Sequence, residues 1–145
     1  MKLLRELLNE AQEKNLIGLT INGKLITVKT KDKKWTGDFD CSHNELTSLT
    51  GAPTSVTGNF YCRGNKLTSL KDVHKQIKSI GGTFYLIKNP IKSHVLGLLK
   101  IKRLKYVELD NKEAEKIINK YLPEGDIFDC QEELIEAGLD KYAQL

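Results

Sequence analysis

Apolar runs long enough to cross a bilayer are missing. Stretches such as Leu3 to Leu8 and Val95 to Ile101 are broken by charge well before the roughly 18 to 20 residues that a membrane span requires. The opening Met1-Lys2-Leu3-Leu4 is interrupted by Arg5, Glu6, Asn9 and Glu10, where a secretory signal would continue its apolar run. These absences predict a cytoplasmic protein with no membrane partner. Cysteine is scarce and unpaired: Cys41, Cys62 and Cys130 form neither a disulfide framework nor a CxxC clip, so free thiols are expected. Histidine is equally scarce. His43, His74 and His94 stand in no recognisable nucleophile setting such as G-x-S-x-G, and no two acids have a spacing that a fold would force together in a cleft. The expectation is a protein without catalytic residues, cofactor or metal.

What is present starts with charge. The net +4 conceals a split, because residues 1–109 carry 19 Lys or Arg against 9 Asp or Glu, whereas residues 110–145 carry 4 against 10. The body is therefore about +10 and the tail about −6. A basic body can recruit nucleic acid, but its lysines lack the interleaved aromatics that stack bases. With 145 residues and 39% hydrophobic content, one domain with a core of its own is expected.

The chain also repeats itself. Thr36-Gly-Asp-Phe-Asp-Cys-Ser-His-Asn-Glu-Leu-Thr-Ser-Leu49 returns 21 residues later as Thr57-Gly-Asn-Phe-Tyr-Cys-Arg-Gly-Asn-Lys-Leu-Thr-Ser-Leu70. A degraded third copy follows after 24 residues, with Phe84, Leu86, Asn89 and Ile91 in the places of Phe60, Cys62, Asn65 and Leu67. Phe39, Cys41, Asn44, Leu46 and Leu49 fit the leucine-rich-repeat spacing L-x-L-x-x-N-x-L-x-x-L. Alternation at Phe39 and Cys41 predicts a short strand with both side chains inward, and stacking such units pairs the strands in parallel. Strands are expected at about 37–41, 58–62 and 82–86. Asn44, Asn65 and Asn89 would lie one above another, their amides satisfying turn backbone groups. The inward orientation of Cys41 and Cys62 also argues against a metal site with His43, since structural zinc needs four ligands.

Units of the form G-x-F-x-C-S-x-N-x-L-T-S-L-x-G-A-P-x-x-V, here Gly37 through Val56, resemble those of accessory proteins of large T4-like tailed phages. The stretch from Gly125 through Asp140, with Tyr142 after it, is similar to the same group. The resemblance implies an accessory or anti-defence protein that acts on a host or bacterial defence protein in the host cytoplasm.

An open solenoid needs capping at both ends. Leu3, Leu4, Leu7, Leu8 and Ala11 share one face of a helix from about Lys2 to Lys14. Asn22-Gly23 between Leu19-Thr-Ile21 and Leu25-Ile-Thr-Val28 predicts a hairpin, with Trp35 over the junction. At the other end the pattern predicts a short helix over His94–Lys100 and a strand over Leu104–Leu109, with either Tyr106 or Val107 inward. A helix from Asn111 to Leu122 follows, ended by Pro123 and Gly125. A second is capped by Asp126, with Phe128, Leu134, Ile135 and Ala137 as its apolar stripe. The fold class expected is therefore an α/β repeat: a short leucine-rich-repeat-like solenoid of parallel strands. Residues 1–35 would form an N-terminal helix and hairpin cap, 36–109 the repeats and 110–145 a helical C-terminal cap.

Residues alternating outward would share one sheet face: Asp38 and Asp40, Asn59 and Tyr61, Thr83 and Tyr85, with Arg63 and Lys88 at the turn edge. Tyrosine and arginine often dominate binding energy, so these eight form the candidate partner-binding surface, although tyrosine in a strand is also ordinary β-propensity. The acidic Glu132, Glu133, Glu136 and Asp140 could mimic phosphates, but such a run is more often a solvated helix face. The function expected is non-enzymatic protein binding. A nucleic-acid-binding module using the basic body is the alternative.

Overall fold

Strands of two or three residues carry too few ladder hydrogen bonds to stand alone, so each must be paired and backed by apolar side chains. The computed structural model describes residues 34–122 and 125–145, together with the backbone of strands β1 (Gly18–Ile21) and β2 (Lys24–Thr27). The architecture is α/β, with parallel-strand sheets and few helices. β1 and β2 pair antiparallel with Ile21 opposite Lys24, as the Asn22-Gly23 signal predicts. The helix expected over Lys2 to Lys14 lies outside the described residues.

The principal sheet is parallel, in the order β4 (Phe39–Asp40), β6 (Phe60–Tyr61), β8 (Thr83–Tyr85) and β9 (Tyr106–Glu108). Its register aligns Phe39, Phe60, Phe84 and Val107 on one row and Asp40, Tyr61, Tyr85 and Glu108 on the next. The strands are shorter than expected but fall within the expected segments. A second parallel sheet, β3 (Lys34–Trp35), β5 (Ser55–Val56) and β7 (Ser79–Ile80), was not anticipated, because two residues carry no readable periodicity.

Between the sheets runs a column of aromatic rings. Phe39 and Phe60 lie 5.2 Å apart, Phe60 and Phe84 4.9 Å, and Trp35 meets Phe39 edge-on at 5.3 Å. Val56 and Ile80 enter from the second sheet, and Leu46, Leu49, Leu67 and Leu70 are buried in the same core. Burying each of these large side chains stabilises the fold by about 1.5 to 3 kcal/mol. Ile91, expected in the place of Leu67, is only half-buried.

Two buried asparagines hold the turns together. The Asn65 amide donates to the carbonyls of Cys41 (3.1 Å) and Cys62 (3.3 Å), and its Oδ1 accepts from the backbone N–H of Asn44 (2.9 Å) and Leu46 (3.0 Å). Asn89 repeats the arrangement one strand on, donating to Cys62 and Leu86 and accepting from Leu67. Each amide thus spans two neighbouring strands and satisfies backbone groups that burial would otherwise orphan.

Beyond β9, helix α2 (Lys112–Tyr121), with Asn111 as its side-chain cap, covers the strand's edge. Asn119 accepts from Val107 N–H and donates to Val107 C=O, both at 2.8 Å, and Glu115 accepts from Leu109 N–H. This imitates the next strand and blocks further pairing at that edge. Val107 is the inward residue and Tyr106 is exposed. Gly125 ends the helix at φ +63°, its N–H on the Tyr121 carbonyl.

Helix α3 (Ile127–Glu136), capped by Asp126, corrects the expected stripe. Its buried side is Cys130 and Leu134 with Ile127 and Ala137 packed alongside, while Phe128 is 77% and Ile135 51% exposed. Spacing of three, four and three residues keeps the first set on one helix face, and a step of one residue turns Phe128 and Ile135 away from it. A short helix α1 (Val73–Gln76) was not foreseen. The helix expected from His94 is a 3₁₀ turn over Leu96–Lys100, begun late because His94 sits at φ +59°.

Replacing Asn65 with Ala should destabilise the protein by roughly 1 to 3 kcal/mol in chemical denaturation, the cost of leaving buried backbone groups unpaired. A change within about 0.5 kcal/mol, the range of ordinary surface substitutions, would show that the amide does not hold the turns.

Candidate functional site

Inward phenylalanines leave the alternate positions of the principal sheet facing outward, so the register decides which side chains meet. Tyr61 and Tyr85 stack with centroids 4.6 Å apart and planes within 2° of parallel. The Arg63 guanidinium lies 4.4 Å from the Tyr85 centroid and 6.0 Å from that of Tyr61. Its Nε donates to Glu108 Oε1 at 3.2 Å. That half-exposed ion pair contributes little stability. Its effect is to hold the guanidinium over the rings, where cation–π attraction adds about 0.5 to 1 kcal/mol.

The neighbouring row is fixed by polar contacts. Asp38 Oδ1 accepts from Asn59 N–H at 2.7 Å, and Asn59 Oδ1 accepts from Thr83 N–H at 2.8 Å. The Asn59 amide also reaches the Tyr61 hydroxyl at 3.4 Å. Asp40 is exposed and accepts from Ser42 N–H. Lys88 sits in the turn after β8 at φ +62°, its N–H on Asp110. It makes no ion pair among the described residues. Of the eight expected residues, the structure brings Asn59, Tyr61, Arg63, Thr83 and Tyr85 into one connected cluster with Asp38 at its edge. Asp40 and Lys88 lie at its margins.

Two members were missed in the sequence. Glu108 extends the tyrosine row and Tyr106 pairs with Thr83, both on β9. The buried residues Leu104, Val107 and Leu109 do not keep a single parity, which hid the register of that strand. Partial desolvation of its half-exposed ring, followed by the Glu115 carboxylate 3.4 Å away, raises the Tyr106 phenol above its ordinary range.

The other candidate groups are committed elsewhere. Glu133, one of the acids considered as a phosphate mimic, bonds Lys120 at 2.8 Å and ties α3 to α2. That contact lowers the carboxyl and raises the ammonium. Asp129 is pushed up by neighbouring Asp126. Cys41, hydrogen-bonded to Cys62 and buried, has its thiol raised far above the usual range, and burial pushes Cys130 up to about 12. Neither supplies a thiolate nucleophile near neutral pH. Among the described residues no group of three or more His, Cys, Asp or Glu side chains is placed to hold a metal, and no helix is long and apolar enough to cross a membrane.

Compared with protein-family models, curated proteins and solved structures, the chain matches none.

All three cysteines are fully buried. A disulfide reagent at mildly alkaline pH should therefore modify less than one thiol per folded chain and all three after denaturation. Rapid native modification of Cys41 or Cys62 would contradict their inward orientation.

Proposed function

We propose that this chain is a non-enzymatic protein-binding module that seats another protein on the outward side of its principal sheet. The observation that carries the reading is the parallel Tyr61–Tyr85 stack beneath Arg63. Aromatic rings and a guanidinium already held in place lose little conformational entropy on binding, and these residue types supply most interface hot spots. The flanking Asp38 and Asp40 provide a polar, negatively charged rim.

The scaffold reading is a short leucine-rich-repeat-like solenoid spanning 36–109, with 1–35 and 110–145 as its caps. Supporting it are the 21- and 24-residue spacings of the paired phenylalanines, the asparagine contacts between successive turns, and the strand-like bonding of Asn119 at the last edge. With the sequence resemblance to accessory proteins of T4-like phages, the partner proposed is a host or bacterial defence protein met in the host cytoplasm.

The test is affinity purification of the tagged chain from host cells, followed by calorimetry with the recovered partner. Tyr61→Ala together with Tyr85→Ala should weaken binding by about 30-fold or more while circular dichroism stays unchanged. Glu132→Lys with Glu136→Lys should leave it intact. Retained affinity in the tyrosine variant, or loss in the glutamate variant, would move the interface to the helical end. A steep fall of affinity with salt would favour the nucleic-acid reading.

A further inference from the structure

From Leu46 to Val107 the chain carries eleven lysines and arginines and a single acid, Asp72. That acid is already engaged by Lys75 at 3.4 Å. Where α1 packs against the 3₁₀ turn, three of these lysines, Lys71, Lys75 and Lys100, line a cavity of about 200 Å³ together with Asp72, His74 and His94. At roughly 30 Å³ per water it has room for several waters, or for a tetrahedral oxyanion with part of its carrier. Lys71 and Lys100 enter no ion pair among the described residues.

The two imidazoles differ in what their Nδ1 atoms meet. Ser93 and Ser69 hydroxyls lie 2.8 and 3.4 Å from His94 Nδ1, which leaves Nε2 for a ligand. His74 Nδ1 is buried with no hydrogen-bond partner among the described residues. It faces Gly97, where a Cβ would stand 2.9 Å away, and the ring lines the cavity. Burial, and then the charges of Lys100, Lys75 and Lys78, hold His74 below its ordinary range against the opposing pull of Asp72. Lys71 and Lys100 beside the two imidazoles form a cluster of like charge that an anion in the cavity would offset.

We propose that this cavity binds a phosphate group, either free or at the end of a phosphomonoester. The site is distinct from the sheet face and independent of the function proposed above. A phosphate carries about −1.5 to −2 at neutral pH, which matches the two unpaired lysines, whereas a carboxylate would leave one of them uncompensated. Ammonium groups and imidazole N–H donors converging from different elements suit an oxyanion with acceptors on all sides.

The test titrates the full chain with inorganic phosphate and, separately, with glycerol 3-phosphate, followed by calorimetry and by NMR of the histidine rings. Saturable one-to-one binding is expected, with the His74 and His94 resonances moving together. The pKa of His74 should rise as the anion stabilises its imidazolium. Tighter binding of the ester would identify it as the ligand, and equal binding would identify the free anion. Lys71→Gln with Lys100→Gln should weaken binding by about tenfold or more, as lost charge-assisted contacts do. Gly97→Ala, which keeps every charge but displaces the His74 ring, should weaken it too. Lys102→Gln with Lys105→Gln, exposed and outside the cavity lining, should change it by less than about twofold. The proposal is overturned if neither ligand saturates by about 10 mM. It is equally overturned if the Lys102 and Lys105 variant loses as much as the pocket variant. Binding of an oligonucleotide without terminal phosphate in preference to both ligands would replace it with a nucleic-acid surface.

Discussion

The structure depends on the carboxamides of Asn65 and Asn89. Each bonds backbone groups on its own turn and on the preceding one, so neighbouring strands can be related in only one register. Strands this short gain little from their own ladders, and a slip of one residue would send every phenylalanine out and every tyrosine in. The amides prevent that at low cost, because they occupy donors and acceptors that burial would leave unsatisfied in any case.

From that register follow both sides of the principal sheet. Inward, the Phe39–Phe60–Phe84 column and the paired thiols fill the space between the sheets. Close approach at the corner between strands requires glycine: a Cβ at Gly58 would press on the Gly37 carbonyl, 2.9 Å away, and one at Gly81 would collide with the Thr57 carbonyl. Outward, the same alignment stacks Tyr61 on Tyr85 and brings Arg63 to Glu108 across 45 residues of sequence. The candidate surface is thus a consequence of the core, and its rigidity comes from the same bonds.

Spacing encoded much of this plainly. Phe39 and Phe60 recur with Asn44 and Asn65 at fixed offsets, so the inward row and the amide contacts were legible before any coordinates. Features resting on little local pattern were not. The two-residue strands of the second sheet have no period, and β9 breaks parity after Leu104. The expected stripe of α3 took in the large apolar Phe128 and Ile135 and left out the smaller Cys130, which the structure buries instead. The Arg63–Glu108 contact and the Lys71, His74, His94 and Lys100 cavity assemble from distant segments, and composition hinted only that the body was basic.

Backbone hydrogen exchange under native conditions tests the central claim most directly. The N–H groups of Leu46 and Leu67 lie in turns, where exchange is ordinarily fast, yet here they donate to buried asparagine oxygens. They should exchange as slowly as the strand amides of Phe39, Cys41 and Cys62 and lose protection together with them as denaturant is added. Exchange of Leu46 and Leu67 at the rate of exposed turns, while the strand amides remain protected, would contradict the account.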